Sequence, residues 1–311
     1  MKTKRPKGRW GKKFVDTRDF SVYSEQLVRQ GEYLLSCDFV EGWNDELAVM
    51  NAGKPGAPYI FPNSLIKLQS IWHAKRIPYR MIEGMTRDLS TIGQLPKYND
   101  YSTVNRRVNR IAFTLDLPQG DNITVFSDGT SMQVVSGGEY MREKYGKKNR
   151  RWVQIVILGD AKTYEPVSYE VHIIQESEAM STERQLTKLL GDKVTIAAAG
   201  GDGAMDSKPL YNFCGGHEIT PIFKPDINAR TDTDSELRNK VVKERNQLGY
   251  KCWAKKNKYG FRWPATEGIF SAMKRMFGEQ LAATSELGML QEASCKLWTY
   301  QSLKRHGESK S

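Results

Sequence analysis

The apolar residues of this chain change their period near residue 118, and that change constrains the fold more than any single motif. Before it, apolar positions recur three and four apart, as in Leu65, Leu68 and Trp72, then Ile82, Met85 and Leu89, then Val104, Val108 and Ile111. That is the spacing of one helix face. Pro62-Asn63 ahead of Ser64 and Pro78 ahead of Tyr79 punctuate the helices, and Asn51 to Pro58 reads as a loop. After Leu117-Pro118-Gln119-Gly120-Asp121 the apolar runs become short and β-rich, over 122–126, 152–158, 167–174, 194–199 and 219–223. A helix is expected over 177–190, and helical segments separate the last two runs from each other and from the third.

Three strands in succession, then a helix, a strand, a helix and a strand, is the order of a ribonuclease H-like domain. The expected fold class is therefore α/β: a ribonuclease H-like mixed sheet with flanking helices, preceded by an all-α N-terminal region of helix-turn-helix type. At 311 residues the chain has room for two cores. The expected division is a basic arm over 1–15, a helical region over 16–118, a sheet domain over 119–303 with a possible insertion at 226–251, and a tail over 304–311.

Charge points to the class of partner. The net charge is +11, which favours a polyanion and nucleic acid first. Seven Lys and Arg residues fall within the first thirteen positions, the pattern of an arm along DNA or equally of a solubilising tail. Cys37, Cys214, Cys252 and Cys295 form no Cys-x-x-Cys pair, which argues against a zinc site or a disulfide framework and for a reducing compartment. No window approaches the ~18 apolar residues of a membrane span. The expected setting is cytoplasmic and associated with the nucleoid, with no membrane partner.

Three acids carry the candidate chemistry. Asp128 lies in Val125-Phe126-Ser127-Asp128-Gly129 at the end of the first run, and Asp202 in Ala199-Gly200-Gly201-Asp202-Gly203 at the end of the fourth. First and fourth strands are neighbours in the expected sheet, so the two acids would meet. Glu267 opens a segment in which Ile269, Met273 and Phe277 form a packing face and Lys274 stands two helical turns on. Three converging carboxylates repel one another unless cations bridge them, and hard oxygen donors select Mg²⁺ or Mn²⁺, two ions in a phosphoryl-transfer site. Each acid has a plainer reading too. Asp128-Gly129 and Gly201-Asp202-Gly203 are also turn sequences, Asp206 competes with Asp202 as a ligand or serves as an N-cap, and Glu267 also suits a helix dipole.

These residues resemble the DDE transposases of prokaryotic insertion sequences, in the group with a Tyr-Arg-Glu-Lys signature around the last acid. Tyr259, Arg262, Glu267 and Lys274 match the signature, with one residue more than the commonest spacing between Arg262 and Glu267. The stretch from Gly138 to Trp152, Asp202-Gly203-Ala204-Met205-Asp206, and the helical stretches Pro78 to Gly84 and Tyr101 to Arg107 also resemble the group. The resemblance implies catalysis by Asp128, Asp202 and Glu267 as metal ligands. It further implies binding of double-stranded DNA at terminal inverted repeats, metal-dependent cleavage at the element's ends, and joining of the freed 3′-hydroxyl to target DNA. Pairing two ends implies a homodimer or higher assembly on DNA.

Candidate DNA contacts are Tyr259, Arg262, Lys274, Arg275 and Lys224 near the acids, and Asn105, Arg106, Asn109 and Arg110 opposite the apolar face of Val104, Val108 and Ile111. The latter set reads as the recognition helix of a helix-turn-helix that begins with the helix at Tyr79, or as an ordinary charged outer face. Two other functions fit the same features less well. A catalytically silent DNA-binding derivative need not keep three acids in register, and a structure-specific ribonuclease H-like nuclease would cut without joining.

Overall fold

The long first strand, β1 (Ile123–Val134), organises the sheet. It pairs antiparallel with β2 (Trp152–Asp160), which pairs antiparallel with β3 (Pro166–His172). On its other edge it runs parallel to β4 (Ile196–Gly201), and β4 to β5 (Thr220–Phe223). The order is β3-β2-β1-β4-β5, with the two-residue β6 (Gln280–Leu281) added to the far end of β1. This mixed order with helical crossovers is ribonuclease H-like. The computed structural model describes residues 18–118, 120, 122–135 and 152–309. The basic arm and the stretch from Gly138 to Arg151 lie outside the described residues.

Both faces of the sheet are covered, which is why β2 is buried along its length after Trp152 instead of alternating. On one face lies α6 (Glu178–Gly191), which buries Ala179, Leu186 and Leu189, and α7 (Lys208–Gly216) connects β4 to β5. On the other face Gly159 lets a backbone pass directly over the sheet, because a Cβ there would sit 1.7 Å from the carbonyl oxygen of Ala265. That carbonyl ends the short α9 (Arg262–Ala265), which leads into α10 (Glu267–Phe277).

The helical region contains α2 (Trp43–Asn51), α3 (Asn63–Ala74), α4 (Tyr79–Thr91) and α5 (Tyr101–Val108). α3 buries Leu65, Ile66, Leu68, Ile71 and Trp72, and its Gln69 exchanges amide hydrogen bonds with Asn99 in the interior. These helices share one compact unit, Cys37–Gln301, with the sheet. The change of period at 118 thus marks a change of secondary structure within that unit. Tyr169 Oη donates to the Phe113 carbonyl at 2.6 Å, and Gln301 Nε2 donates to the carbonyls of Asp116 and Pro166.

Residues 18–36 and 302–309 belong to a second unit. There α1 (Phe20–Tyr33) is capped by Asp19, which accepts from the amides of Ser21 and Val22, and the Tyr33 ring lies 4.7 Å from that of His306. Of the residues read as a C-terminal tail, 304–308 continue α11 (Glu286–Glu308), with Lys304 and Glu308 paired one turn apart.

Candidate active site

Register brings the first two acids together. The last pair between β1 and β4 is Ser127↔Gly201, so Asp128 and Asp202 are the next residues on adjacent parallel strands. Beyond that point β4 stops and β1 does not. Asp128 and Gly129 remain extended opposite Ile157 and Val156 of β2, and no described strand covers the other edge of β1 until Gln133↔Gln280. Asp128 therefore stands inside a strand, and not in the turn or at the strand end that its Asp-Gly sequence suggests. Antiparallel pairing with nine residues of β2 outweighs the turn preference of that dipeptide.

Asp202 caps the 3₁₀ turn Gly203–Met205, accepting from the Ala204 amide at 2.8 Å. Asp206, its rival by sequence, is committed elsewhere. Arg238 grips it with two bonds of 2.7 Å and the pair is nearly buried, while Asp206 also accepts from the Asp226 amide. Asp206 is not the cap of α7 either, since Ser207 holds that position.

The third acid arrives on α10. Arg262 and Glu267 are five apart, one more than a helical turn aligns, but Thr266 between α9 and α10 is non-helical (φ −132°, ψ −71°) and absorbs the extra residue. Arg262 consequently bridges two acids, with one guanidinium nitrogen 3.2 Å from Asp128 Oδ2 and the other 2.7 Å from Glu267 Oε1. Thr266 Oγ1 lies 3.2 Å from the same Asp128 oxygen, and the Gly129 amide donates to Asp128 Oδ1. Burial pushes the Asp128 carboxyl above the ordinary carboxylate range against the pull of Arg262, and the charge of Asp202 adds to the rise. Ile269, Met273 and Phe277 are buried as their spacing requires. Asp128, Thr130, Glu267, Ser271, Lys274 and Arg275 line one open cleft.

Two family models, both described as a transposase DDE domain, match the chain, one over residues 28–137 and the other over 119–300, more than half of its length. The chain belongs to the transposase DDE domain family. A chain of the simian T-cell lymphotropic virus intasome in complex with PP2A regulatory subunit B56 gamma is similar at 12% identity, over 60% of this chain and 67% of that one, with a TM-score of 0.25.

Asp128, Asp202 and Glu267 offer only carboxylate oxygens, a chemistry that suits a hard divalent cation. Among the described residues no three such groups are already gathered as a metal site, and the guanidinium of Arg262 supplies the positive charge between Asp128 and Glu267. A further acid that sequence reasoning missed, Glu178, occupies the space beside Gly129. As the first residue of α6 it looked like any acid at a helix start.

The remaining expected DNA-binding residues are scattered. Tyr259 is buried among Phe126, Tyr250 and Trp253, its hydroxyl pushed up to about 12 by burial, with the Arg262 guanidinium 5.8 Å from its ring centre. It backs Arg262 and presents no open face. Lys224 is exposed past β5, its ammonium 5.7 Å from the Tyr250 ring centre. Asn105, Arg106 and Arg110 are exposed and Asn109 partly so, but they face two grooves. Arg106 and Arg110 line one with Tyr59 and Ile60, and Asn105 and Asn109 line another with Ser285 and Gln291. Nine residues, 92–100, separate α4 from α5. A helix-turn-helix joins its helices by three or four, so that pairing does not describe α4 and α5. Within the long connection Leu95 is buried and Asn99 bonds to Gln69 of α3.

Proposed function

We propose that this transposase belongs to the insertion-sequence group with the Tyr-Arg-Glu-Lys signature, binds the terminal inverted repeats of its element, cleaves DNA there, and transfers the 3′-hydroxyl end to target DNA. The observation that carries the reading is the register Ser127↔Gly201, which sets Asp128 beside Asp202 where the sheet edge opens, with Glu267 linked to Asp128 through Arg262. Asp128, Asp202 and Glu267 would hold two Mg²⁺ or Mn²⁺ ions, which supply activation of the attacking oxygen and neutralisation of charge at phosphorus.

The chain's own groups do the rest. Lys274 and Arg275, in the cleft with Asp128 and Glu267, bind the phosphates flanking the scissile bond. Arg262 holds Glu267 against Asp128 and limits their repulsion. Arg106 and Arg110 bind DNA backbone from the helical region, and the basic arm follows it. In this division of labour residues 16–118 bind ends and 119–303 cut them, on a homodimer or larger assembly that pairs two ends in the nucleoid. The segment 226–251 supports the site from behind through Arg238 of α8 (Glu236–Lys256), which anchors Asp206 after β4, while Trp253, past the non-helical Gly249 that breaks α8, packs on Tyr259.

The test is a Mg²⁺-dependent cleavage and joining assay on DNA carrying the repeats that flank the gene, with Asp128→Ala, Asp202→Ala and Glu267→Ala alongside the wild type. Cutting and joining by the wild type, and binding without either by each variant, is the expected result. Cutting without joining would point to a nuclease, and binding without cutting to a silent derivative.

A further inference from the structure

Successive residues of a strand face opposite sides of the sheet, and β1 shows this around the site. Phe126 and Asp128 face the side of Tyr259 and Arg262. Ser127 and Gly129 face α6, where Ser127 Oγ lies 2.6 Å from Thr182 Oγ1. A Cβ on Gly129 would lie 2.1 Å from Glu178 Oε1 and 2.5 Å from its carboxyl carbon, so the Glu178 carboxylate fills the space that a side chain at 129 would take. It does so just past the end of β4, at the stretch of β1 edge that no described strand covers. Glu178 thus reaches, from the α6 face, the same open edge that Asp128 and Asp202 reach from theirs.

No described cation pairs with Glu178. Gln154, whose amide binds the backbone of Glu176 through both its atoms, lies beside it. The Glu178 carboxylate thus lies against the residue that follows Asp128, where a glycine makes room for it and no described cation offsets its charge.

We propose that Glu178 is a fourth metal ligand of this site, sharing a divalent cation with Asp128 and Asp202 across the open edge of β1. The inference rests on the reading of Asp128 and Asp202 as metal ligands. It makes the site a set of four acids, Asp128 on β1, Asp202 after β4, Glu178 at the start of α6 and Glu267 on α10, so that metal can bind before Glu267 is engaged.

The test is Mn²⁺ binding to the full chain without DNA, followed by the free-ion electron paramagnetic resonance signal. Glu178→Gln keeps the shape of the side chain, and is expected to weaken binding by about tenfold or more, the scale on which groups around a metal act. Gly129→Ala keeps every carboxylate but displaces Glu178, and is expected to weaken binding as well. Asp192→Asn, which removes an exposed acid at the other end of α6, is expected to bind as the wild type does. Wild-type binding by Glu178→Gln or by Gly129→Ala, with binding abolished in Asp128→Asn and Asp202→Asn, overturns the proposal and leaves the proposed function standing. No Mn²⁺ binding by the wild type, or undiminished binding in Asp128→Asn and Asp202→Asn, removes the proposed function and this inference together.

Discussion

Asp128 is largely buried, so its charged form costs free energy that Arg262 offsets only in part. The folded protein therefore holds the Asp128 proton more tightly than the unfolded chain does. Between the ordinary carboxylate value of 3.8 and the raised value the native state binds more protons, and stability is lost as pH rises through that window. Asp128→Asn in the metal-free protein is expected to melt higher than wild type at pH 7, with the gap closing below pH 3.8, as differential scanning calorimetry across pH would show. Arg262 carries the complementary expectation. Arg262→Met removes one bond to each of two acids and should cost about 1–2 kcal/mol in chemical denaturation, discounted because Glu267 is half exposed. The same variant should gain more thermal stability from added Mg²⁺ than wild type does, because the charge between Asp128 and Glu267 is then missing.

At the scale of elements, the site depends on how closely α9 can approach the sheet. Gly159→Ala places a methyl group against the Ala265 carbonyl and forces α9 outward, with a cost of about 1–3 kcal/mol and a loss of activity, measurable by denaturation and strand-joining assays together. The apolar runs made the five main strands and the helix over 177–190 legible, because burial on both faces needs continuous apolar sequence. They did not reveal that β1 runs on past Asp128-Gly129, since that dipeptide favours a turn until β2 pairs with it. β6 is two residues long and leaves no pattern. The alignment of Arg262 with Glu267 depends on a single non-helical residue, Thr266, and the place of Glu178 depends on the missing side chain of Gly129. Both are tertiary facts written in residues whose local meaning is different. The same holds for Asp206, whose partner Arg238 is 32 positions away. Arg238→Ala leaves that buried acid without its ion-pair partner and should destabilise the protein by about 3–5 kcal/mol, read from chemical denaturation.

At the scale of the molecule, the helices from 37 onward and the sheet form one unit, so a surface on α5 and the acid cleft are carried on a common core. Arg106 and Arg110 share a groove with the exposed Tyr59 and Ile60, which favours phosphate binding over base reading. Replacing both with Ala is expected to weaken binding to all sequences alike. It should also reduce the salt slope of the affinity by about 0.9 for each phosphate that is no longer neutralised, read from fluorescence anisotropy over a range of salt. No described helix is long and apolar enough to cross a membrane. The proposed contact of Asp128, Asp202 and Glu267 with the metal that does the chemistry is tested most directly by replacing each in turn with Cys. Each variant should be inactive in strand cleavage with Mg²⁺ and regain activity with Mn²⁺, which accepts sulfur more readily. Equal activity in the two metals, or full activity with Mg²⁺ in any of the three, would contradict the account.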